Sequence, residues 1–358
     1  MRRSIPLAVA ALAAAGITTI ATTASSSAAT TSAGASRSAD VILPPHAYAP
    51  YFETYDTTDG GLAQLAAESG AKDVSLAFLQ TDAPGSCTAY WNGDTSTPIS
   101  ATAAGSFGAD IAAIQARGGT VIPSFGGFTA DTTNTELADS CTDVSSIAQV
   151  YESLVTTYHI TRIDLDVEGD SVSNTAGIER RNEAIAQTEA WAAANHKVVQ
   201  FDYTLPVNPT GLTATGLSVI QNAAAEGAKI TEVNLLTFDY FFGTTEDMLT
   251  DAENAAVATH AQLESIYPNQ SPLALWHSIG ITVMPGIDDF GAAETFTKAQ
   301  APALLAWAAL HNLGLLSIWA LQRDNGGCVG TKGAGSCSGV AQPSWYFSHV
   351  FGLYNYLP

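Results

Sequence analysis

The chain is poor in charged residues, and poorest in basic ones. Of its 358 residues only 13% are charged, and 13 Lys and Arg stand against 34 Asp and Glu, which gives a formal charge of -21. Proteins that bind a phosphate backbone do so with clustered Lys and Arg, and no run of basic residues here exceeds two. The composition therefore argues against a nucleic-acid-binding protein. Because 46% of the residues are hydrophobic, the chain is not disordered over most of its length either.

The sequence also lacks the short motifs of several other enzyme classes. It has no G-x-x-x-x-G-K-[ST] loop for nucleotide phosphates, no G-x-S-x-G elbow for a nucleophilic serine, and no C-x-x-C or H-E-x-x-H for a metal. His46 and His277 lie near the ends of predicted strands, but no cluster of His, Cys and Glu surrounds them in the sequence. We therefore expect neither a metal nor a cofactor.

An apolar segment lies at the amino terminus. Arg2 and Arg3 open the chain, an Ala-rich apolar stretch follows up to Ile20, and small residues come next. This order predicts a signal peptide over residues 1–29. A membrane anchor is the alternative, which the interrupting Gly and Thr disfavour. The Ser/Thr/Ala/Gly-rich segment 30–39 is predicted to be a disordered leader, so we expect a secreted, extracellular protein that does not act at a membrane.

The four cysteines are even in number, which in an exported chain favours two disulfides over metal ligands. The sequence permits three pairings. We favour Cys87 with Cys141 and Cys328 with Cys337, because the second pair closes a short Gly-rich loop.

Beyond the leader, apolar β-branched runs alternate with Ala-rich stretches of helical period. Strand candidates lie at 46–53, 73–80, 119–125, 160–168, 198–205, 230–239, 278–284 and 313–321. Helix candidates lie between them, at 61–69, 109–117, 144–158, 178–195, 215–226, 245–266 and 301–311. Strands separated by helices pair in parallel through right-handed crossovers.

Eight such units predict an α/β fold, a (β/α)8 barrel, as one catalytic domain over residues 40–358. A doubly wound open sheet shows the same alternation. It is disfavoured because the first strand-to-helix turn has no Gly-rich phosphate loop, and because polar residues gather at the carboxyl ends of many strands. The latter is where a barrel builds its active site.

The segment Ile163–Gly169 alternates apolar and acidic residues. Asp164, Asp166 and Glu168 take every second position, so in a strand they share one face, about 6 to 7 Å apart. In a barrel that face is the interior. Carboxyl groups crowded there cannot all ionise, so at least one keeps a proton near neutral pH. Glu168 lies nearest the open mouth of the barrel and is the predicted general acid.

Two other interpretations of this segment remain open. Asp164-x-Asp166-x-Glu168-Gly169 is similar to the start of a calcium-binding loop, although Thr175 stands where such a loop has a bidentate Glu. A solvent-exposed antiparallel edge strand with its acids outward has the same alternation.

The residues Asp164–Glu168 resemble the end of the D-x-x-D-x-D-x-E signature of family 18 glycoside hydrolases, the chitinases and their endo-β-N-acetylglucosaminidase relatives. Thr161 stands where that signature has its first Asp. Ser124-Phe125-Gly126-Gly127 matches the S-x-G-G signature of the same family. Further stretches on the later strands resemble its bacterial, actinobacterial-type chitinase branch, namely Tyr203–Pro206, Leu236–Tyr240, Met284–Gly286 with Asp288, and Ile318–Asn325.

The resemblance implies retaining hydrolysis in which the N-acetyl oxygen of the substrate is the nucleophile. It implies that Glu168 protonates the glycosidic oxygen and later activates water. Asp166 would hold the acetamido N–H and stabilise the oxazolinium ion, while Asp164 would share a proton with Asp166. Tyr240 would donate its hydroxyl to the acetamido oxygen.

The resemblance also implies a set of substrate-binding residues. Trp319 would form the apolar floor under the sugar, and Asp239 would contact the sugar or support Glu168. Gln322 belongs to the same carboxyl-terminal motif as Trp319. Tyr51 is a further candidate for the sugar-binding cleft, and Ser124 would allow close packing near the acid.

These observations together predict a secreted, monomeric chitinase that cleaves β-1,4 bonds between N-acetylglucosamine units of chitin or chito-oligosaccharides. An endo-β-N-acetylglucosaminidase acting on N-glycans would use the same acids and is the alternative among enzymes. A chitin-binding or inhibitor protein on the same barrel is the alternative outside enzymes, although such proteins lose activity through the acid, and Glu168 is present.

Overall fold

A computed structural model describes residues 42–357 of the chain. The predicted signal peptide at 1–29 and the predicted leader at 30–39 lie outside the described residues. Within the described part, no helix has both the length and the apolar character needed to cross a membrane.

The described chain alternates strands and helices. The strands are β1 (Ala47–Tyr48), β2 (Tyr51–Glu53), β3 (Val74–Thr81), β4 (Ala89–Trp91), β5 (Val121–Gly126), β6 (Arg162–Asp166), β7 (Gln200–Asn208), β8 (Gly211–Leu212), β9 (Ile230–Leu236), β10 (Ile279–Val283), β11 (Gly286–Ile287), β12 (Thr295–Phe296) and β13 (Leu315–Ile318). The α-helices are α1 (Leu62–Ser69), α2 (Gly108–Ala116), α3 (Gly127–Thr133), α4 (Leu137–Ser140), α5 (Val144–Tyr158), α6 (Thr175–Ala194), α7 (Ala214–Glu226), α8 (Met248–Ile266), α9 (Pro272–His277), α10 (Gln300–His311) and α11 (Tyr346–Phe351). Short 3-10 helices lie at Ser171–Ser173, Leu321–Arg323 and Gly352–Tyr356.

The parallel strands close into a ring because the first barrel strand reaches both edges. β1 pairs with β13, with Ala47 opposite Leu315, and β2 pairs with β3, with Tyr51 opposite Ser75. Between these ends the order is β3, β5, β6, β7, β9, β10, β13, and every pair is parallel. β1 and β2 are two halves of one predicted strand, interrupted at Pro50, which has no backbone N–H to donate. The predicted barrel is confirmed, and an open doubly wound sheet is contradicted.

The predicted helices are found within three residues of their expected ends, and α5 coincides with its prediction at 144–158. The sequence did not predict α3 and α4, which lie between β5 and α5. Their segment, 127–140, is rich in Thr and acidic residues and has few apolar residues, so it carries no helical period. α3 packs against β3 and β5, and α4 packs against β3, α5 and α6. Asp131 of α3 and Asp139 of α4 bind the segment that follows β6.

The inward side chains of β6 form a polar column in the centre of the barrel. At its lower end Arg162 pairs with Asp202 of β7 at 3.4 Å and with Glu232 of β9 at 3.0 Å. Asp164 follows, and Asp166 lies at the upper end; all five side chains are buried. Because β6 lies between the parallel strands β5 and β7, the alternative of an exposed antiparallel edge is wrong.

Both favoured disulfides are present. Cys87 is joined to Cys141, and Cys328 to Cys337. The first ties the segment after β3 to the end of α4. The second closes the Gly-rich loop that follows the last barrel strand.

Candidate active site

A cavity of about 830 Å³ opens at the carboxyl ends of the barrel strands. Every barrel strand contributes to its lining at or near that end, through Glu53, Phe78, Gly126, Asp166, Pro206, Leu236, Met284 and Trp319. This is the end of a barrel at which active sites are built. The cavity is therefore the candidate active site.

Asp164 lies beneath the cavity and is held by hydroxyl groups. Its carboxylate accepts hydrogen bonds from Tyr51 at 2.9 Å, Ser124 at 2.6 Å and Thr204 at 2.7 Å. Burial raises the pKa of Asp164, and these hydroxyls lower it in part. Tyr51 and Ser124 are 2% and 0% exposed. Tyr51, a candidate for the sugar-binding cleft, and Ser124, expected to allow close packing near the acid, are both absent from the cavity lining and support Asp164 from below.

Asp166 is one layer higher and lines the cavity. Its Oδ1 is buried and has no hydrogen-bond partner among the described residues. Burial raises its pKa well above the usual value, and the neighbouring charges of Glu168, Asp164 and Asp131 raise it further. A proton therefore stays on this group of acids near neutral pH, in agreement with the crowding predicted from the alternation. The side-chain hydrogen bonds that Asp164 accepts come from the hydroxyls of Tyr51, Ser124 and Thr204, not from Asp166.

Glu168 follows β6 and its side chain lines the cavity. Burial raises the pKa of its carboxyl group to about 7, against a smaller lowering by the backbone N–H of Phe128. A carboxyl group with such a pKa can hold its proton and give it up near neutral pH, which suits a general acid and base.

Asp131 is a residue that the sequence did not single out. It lies on α3, is 1% exposed, and accepts a hydrogen bond from the backbone N–H of Glu168. Nearby, Asp139 of α4 accepts hydrogen bonds from the side chains of Ser171 and Asn174 in the segment that follows Glu168. The two short helices thus hold the backbone that carries the acid. The S-x-G-G motif just before α3 was the only sequence signal near them.

Aromatic side chains form one face of the cavity. Trp319 stacks on Phe78 with ring centroids 5.5 Å apart and 18° between the planes, and both rings line the cavity. Tyr51 supports Trp319 from below at 5.6 Å. Phe128 and Phe241 also line the cavity and are 65% and 58% exposed. Trp319 thus contributes an apolar surface to the cavity, and its role as the floor under a sugar stays a prediction.

Tyr240 is not brought into the cavity. Its ring stacks on Phe242 at 5.5 Å, and its hydroxyl is buried with no hydrogen-bond partner among the described residues. After burial itself, the groups that most raise its pKa are Asp251 and Glu294, not the acids of β6. The expected hydroxyl donor is thus misplaced, and Phe238 of the same motif lines the cavity instead.

Asp239 lines the cavity and belongs to a second acidic group with Asp288 and Glu294, whose carboxylate oxygens lie within 4.8 Å of one another. Burial and like charges raise the pKa of Asp239 and of Asp288 to about 7 each. Oxygen ligands of this kind could hold a divalent cation. However, Glu294 accepts the backbone N–H groups of Tyr240 and Phe241, and Asp288 accepts that of Asp239. The acids of β6, for which a calcium loop was an alternative, form no such group within the described residues.

Gln322 lies outside the cavity lining and holds the backbone of residues 53 and 56 beside the cavity. Its amide donates to the backbone carbonyls of Glu53 and Asp56 at 3.0 Å each and accepts the N–H of Glu53 at 3.2 Å. It is 1% exposed. Its assignment as a sugar ligand is therefore corrected to support of the first barrel strand.

Arg323 is the second residue that the sequence did not single out. It lines the cavity, and its guanidinium donates to the carbonyls of Pro285, Ile287 and Ala334. Ala334 and its neighbours belong to the loop that the Cys328–Cys337 disulfide closes. Arg323 therefore fixes this loop as a wall of the cavity.

Two curated proteins are similar to the chain over most of its described length. A probable bifunctional chitinase/lysozyme of Escherichia coli (strain K12) is 32% identical over 319 residues, which are 86% of this chain and 34% of that protein. Endochitinase 11 of Metarhizium anisopliae is 32% identical over 290 residues, which are 78% of this chain and 53% of that protein. The chain thus spans about a third and about half of the length of these two relatives.

Among solved structures, the chain is similar to catalytic-site mutants of active domain 2 of a thermostable chitinase from Pyrococcus furiosus, complexed with chito-oligosaccharides. The identity is 27% and the TM-score 0.75, over 88% of this chain and 96% of that one. No protein-family model matches the chain.

Proposed function

The chain belongs to the family 18 glycoside hydrolases, the chitinase family, and on that premise we propose that it hydrolyses β-1,4 bonds between N-acetylglucosamine units of chitin or chito-oligosaccharides with retention. The observation that carries the proposal is the pair of Asp166 and Glu168 in the cavity wall. Asp166 has an unpartnered buried oxygen, and the pKa of Glu168 is raised to about 7.

In the first step Glu168 gives its proton to the glycosidic oxygen while the bond from that oxygen to the anomeric carbon breaks. The carbonyl oxygen of the acetamido group on the same sugar attacks the anomeric carbon, and an oxazolinium ion forms. The unpartnered oxygen of Asp166 accepts the acetamido N–H and stabilises the positive charge. Asp164 lies beneath Asp166, and three hydroxyl groups hold its carboxyl group in place.

In the second step the carboxylate of Glu168 takes a proton from water, and the oxygen of that water attacks the anomeric carbon from the side that the leaving group has vacated. The acetamido group is restored, and Glu168 regains its proton. Trp319, stacked on Phe78, provides the apolar surface on which a pyranose ring lies during both steps. Tyr240 takes no part, because its hydroxyl lies outside the cavity lining.

The test is Glu168→Gln, which keeps the size of the side chain and removes the transferable proton. We expect turnover of a chromogenic chito-oligosaccharide to fall by about 10² to 10⁴-fold, the usual contribution of general acid-base catalysis. Glu264→Gln is the matched control, because Glu264 is exposed on α8. Circular dichroism would show that both variants are folded. Substantial residual turnover in Glu168→Gln would contradict the proposal.

The choice of substrate is tested on chitin and on a high-mannose glycopeptide side by side. Release of chito-oligosaccharides alone supports the chitinase. Cleavage of the glycopeptide would favour the endo-β-N-acetylglucosaminidase, and binding of chitin without reducing ends would favour a binding or inhibitor protein.

The proposal includes an actinobacterial-type chitinase that is secreted and acts as a monomer through one barrel domain. Two disulfides support the extracellular location, because such bonds persist in oxidising compartments. The location is checked by finding the mature protein, starting near residue 30, in the culture medium. The monomer is checked by light scattering.

A further inference from the structure

The cavity carries more negative charge than the proposed reaction uses. Its lining includes one guanidinium, that of Arg323, and the carboxyl groups of Glu53, Asp166, Glu168, Asp239 and Asp289. Arg323 is already engaged with three backbone carbonyls. N-acetylglucosamine is a neutral sugar and needs no such excess. Glu53 and Asp289 have no role in the reaction described above.

Glu53 is the most constrained of these unused acids. It ends β2, is 5% exposed, and lines the cavity. Its Oε1 accepts a hydrogen bond from the hydroxyl of Tyr55 at 2.6 Å, whereas Oε2 is buried with no partner among the described residues. Burial raises the pKa of this carboxyl group, and the charge of Arg323 offsets only part of the effect. A buried acceptor oxygen without a donor is costly unless a ligand supplies one.

The chain leaves space beside this carboxylate. Gly335, in the loop closed by Cys328 and Cys337, faces it, and a Cβ at Gly335 would lie 3.9 Å from both carboxylate oxygens. A methyl group there would make only an ordinary van der Waals contact, so the absence of a Cβ at Gly335 leaves room for a group of that size beside the carboxylate. Gly335 and Glu53 both line the cavity, so the space is continuous with it.

Glu53 and Glu168 lie on different walls of the cavity. β2 and β6 are separated in the barrel by β3 and β5, which places three interstrand steps of about 4.8 Å between them. A sugar unit whose acetamido group reacts beside Asp166 is thus not the unit whose 2-substituent meets Glu53. The two walls therefore contact different sugar units of the substrate chain.

We propose that Glu53 binds the ammonium group of a glucosamine unit, so that the protein recognises partly deacetylated chitin. The inference rests on the proposed function, because the bond that is cut still needs an N-acetyl group beside Asp166. An ammonium donates to Oε2 and supplies the missing positive charge, and charge-assisted hydrogen bonds are about twice as strong as neutral ones. An N-acetyl group carries no charge and is bulkier.

The experiment compares kcat/KM for two chito-oligosaccharides of equal length, one fully N-acetylated and one carrying glucosamine units. In Glu53→Gln we expect the ratio of the second value to the first to fall by about tenfold, the effect of one hydrogen bond to a charged group. Asp56→Asn is the matched control. It removes a negative charge near Glu53 that lies outside the cavity lining, so the ratio should stay within about twofold of wild type.

Mass spectrometry of the products gives a second readout. Wild type should release products with glucosamine at one fixed distance from the cleaved bond, and Glu53→Gln should lose this preference. If Glu53→Gln does not fold, the same ratio of kcat/KM values is measured in Gly335→Ala. The added methyl makes only an ordinary contact with the carboxylate and occupies the open space, so the ratio should fall in the same direction.

The inference is overturned if the ratio and the product pattern are unchanged in Glu53→Gln, or if both substrates lose activity equally. Equal loss would mean that Glu53 binds a hydroxyl or supports the fold. Failure of the proposed function is a different result, since wild type would then cleave neither oligosaccharide.

Discussion

Glu168 is the residue whose ionisation sets the upper pH limit of the proposed reaction. The acid must be protonated to act, and its pKa is about 7. Activity is therefore lost as pH rises through about 7. Asp166, directly beneath it, is coupled to it electrostatically, because the charge of Glu168 raises the pKa of Asp166. The interaction of two acids is reciprocal, so ionised Asp166 disfavours ionisation of Glu168.

Replacing Asp166 by Asn removes one of these like charges. The pKa of Glu168 should fall, so the basic limb of kcat/KM against pH should move to lower pH while the overall rate decreases. The measurement is a pH profile of the residual activity, with Glu264→Gln as the unshifted control. A basic limb at the wild-type position would show that the two acids are not coupled.

For single residues, the sequence predicted which side chains lie on the inner face of β6, but not how far below the cavity the neighbouring side chains lie. The period of two found Asp164, Asp166 and Glu168 because a strand has only two faces. Tyr51 and Ser124 do lie near these acids, yet they lie one layer below the cavity, and side-chain depth leaves no period in a sequence. Contacts between distant segments leave none either, as with Asp131, which bonds the backbone of Glu168.

Among the elements, the junction between β5 and α3 is the tightest near the acids. Gly126 ends β5 with φ of 94°, and a Cβ there would lie 2.1 Å from the backbone carbonyl oxygen of Asp166. Only glycine fits this approach. The close contact keeps β5 against β6 at the level of the acids, and α3 can then place Asp131 under Glu168.

Gly126→Ala should therefore destabilise the protein by more than a change of backbone preference alone. Gly118→Ala is the matched control, because Gly118 also has a positive φ, of 79°, but nothing lies within 4 Å of the added Cβ. We expect the free energy of unfolding to fall by about 1 to 3 kcal/mol more in Gly126→Ala than in Gly118→Ala. Denaturant unfolding measures both. Equal losses would mean that the close approach at Gly126 is of no consequence.

The elements themselves were largely predictable, and the exceptions have physical reasons. For long segments with a clear helical period, such as 144–158, the sequence predicts both the type of element and where it begins and ends. For the segments 127–140 and 272–277, which contain the short helices α3, α4 and α9, the sequence predicts neither. One or two helical turns contain too few residues to show a period. Such short helices are held by contacts with the rest of the barrel, which overrides weak local preference.

For the molecule as a whole, the many buried acids make stability depend on pH. Burial raises the pKa of Glu168, Asp202, Asp239 and Asp288 to about 7 each. In the unfolded chain these groups titrate near about 4. Between the two values the folded state binds more protons than the unfolded state, so stability falls as pH rises through this window.

We expect the midpoint of thermal unfolding to be highest near about pH 4 to 5 and to fall by several degrees toward about pH 8. Asp239→Asn removes one contributor and should flatten the dependence. Repeating the series at high salt separates this effect from the self-repulsion of a chain with a formal charge of -21, which salt screens. A midpoint that rises with pH would contradict the assignment of raised pKa values.

The overall architecture followed from counting strand and helix units, because the alternation of two periods survives in a single sequence. What counting could not supply was the closure of the ring. That depends on β1 and β2 dividing one strand between two partners, and it is visible only in the pairing.

This closure has a consequence for how the chain reaches its fold. The partner of β1 is β13, near the other end of the described chain, so the ring cannot close until almost all of the chain has been synthesised. Until then the growing sheet has two open edges, which are prone to pair with other chains. Contacts between residues so far apart in sequence also form slowly. A chain that stops before β13 is therefore not a smaller barrel but an open, aggregation-prone sheet.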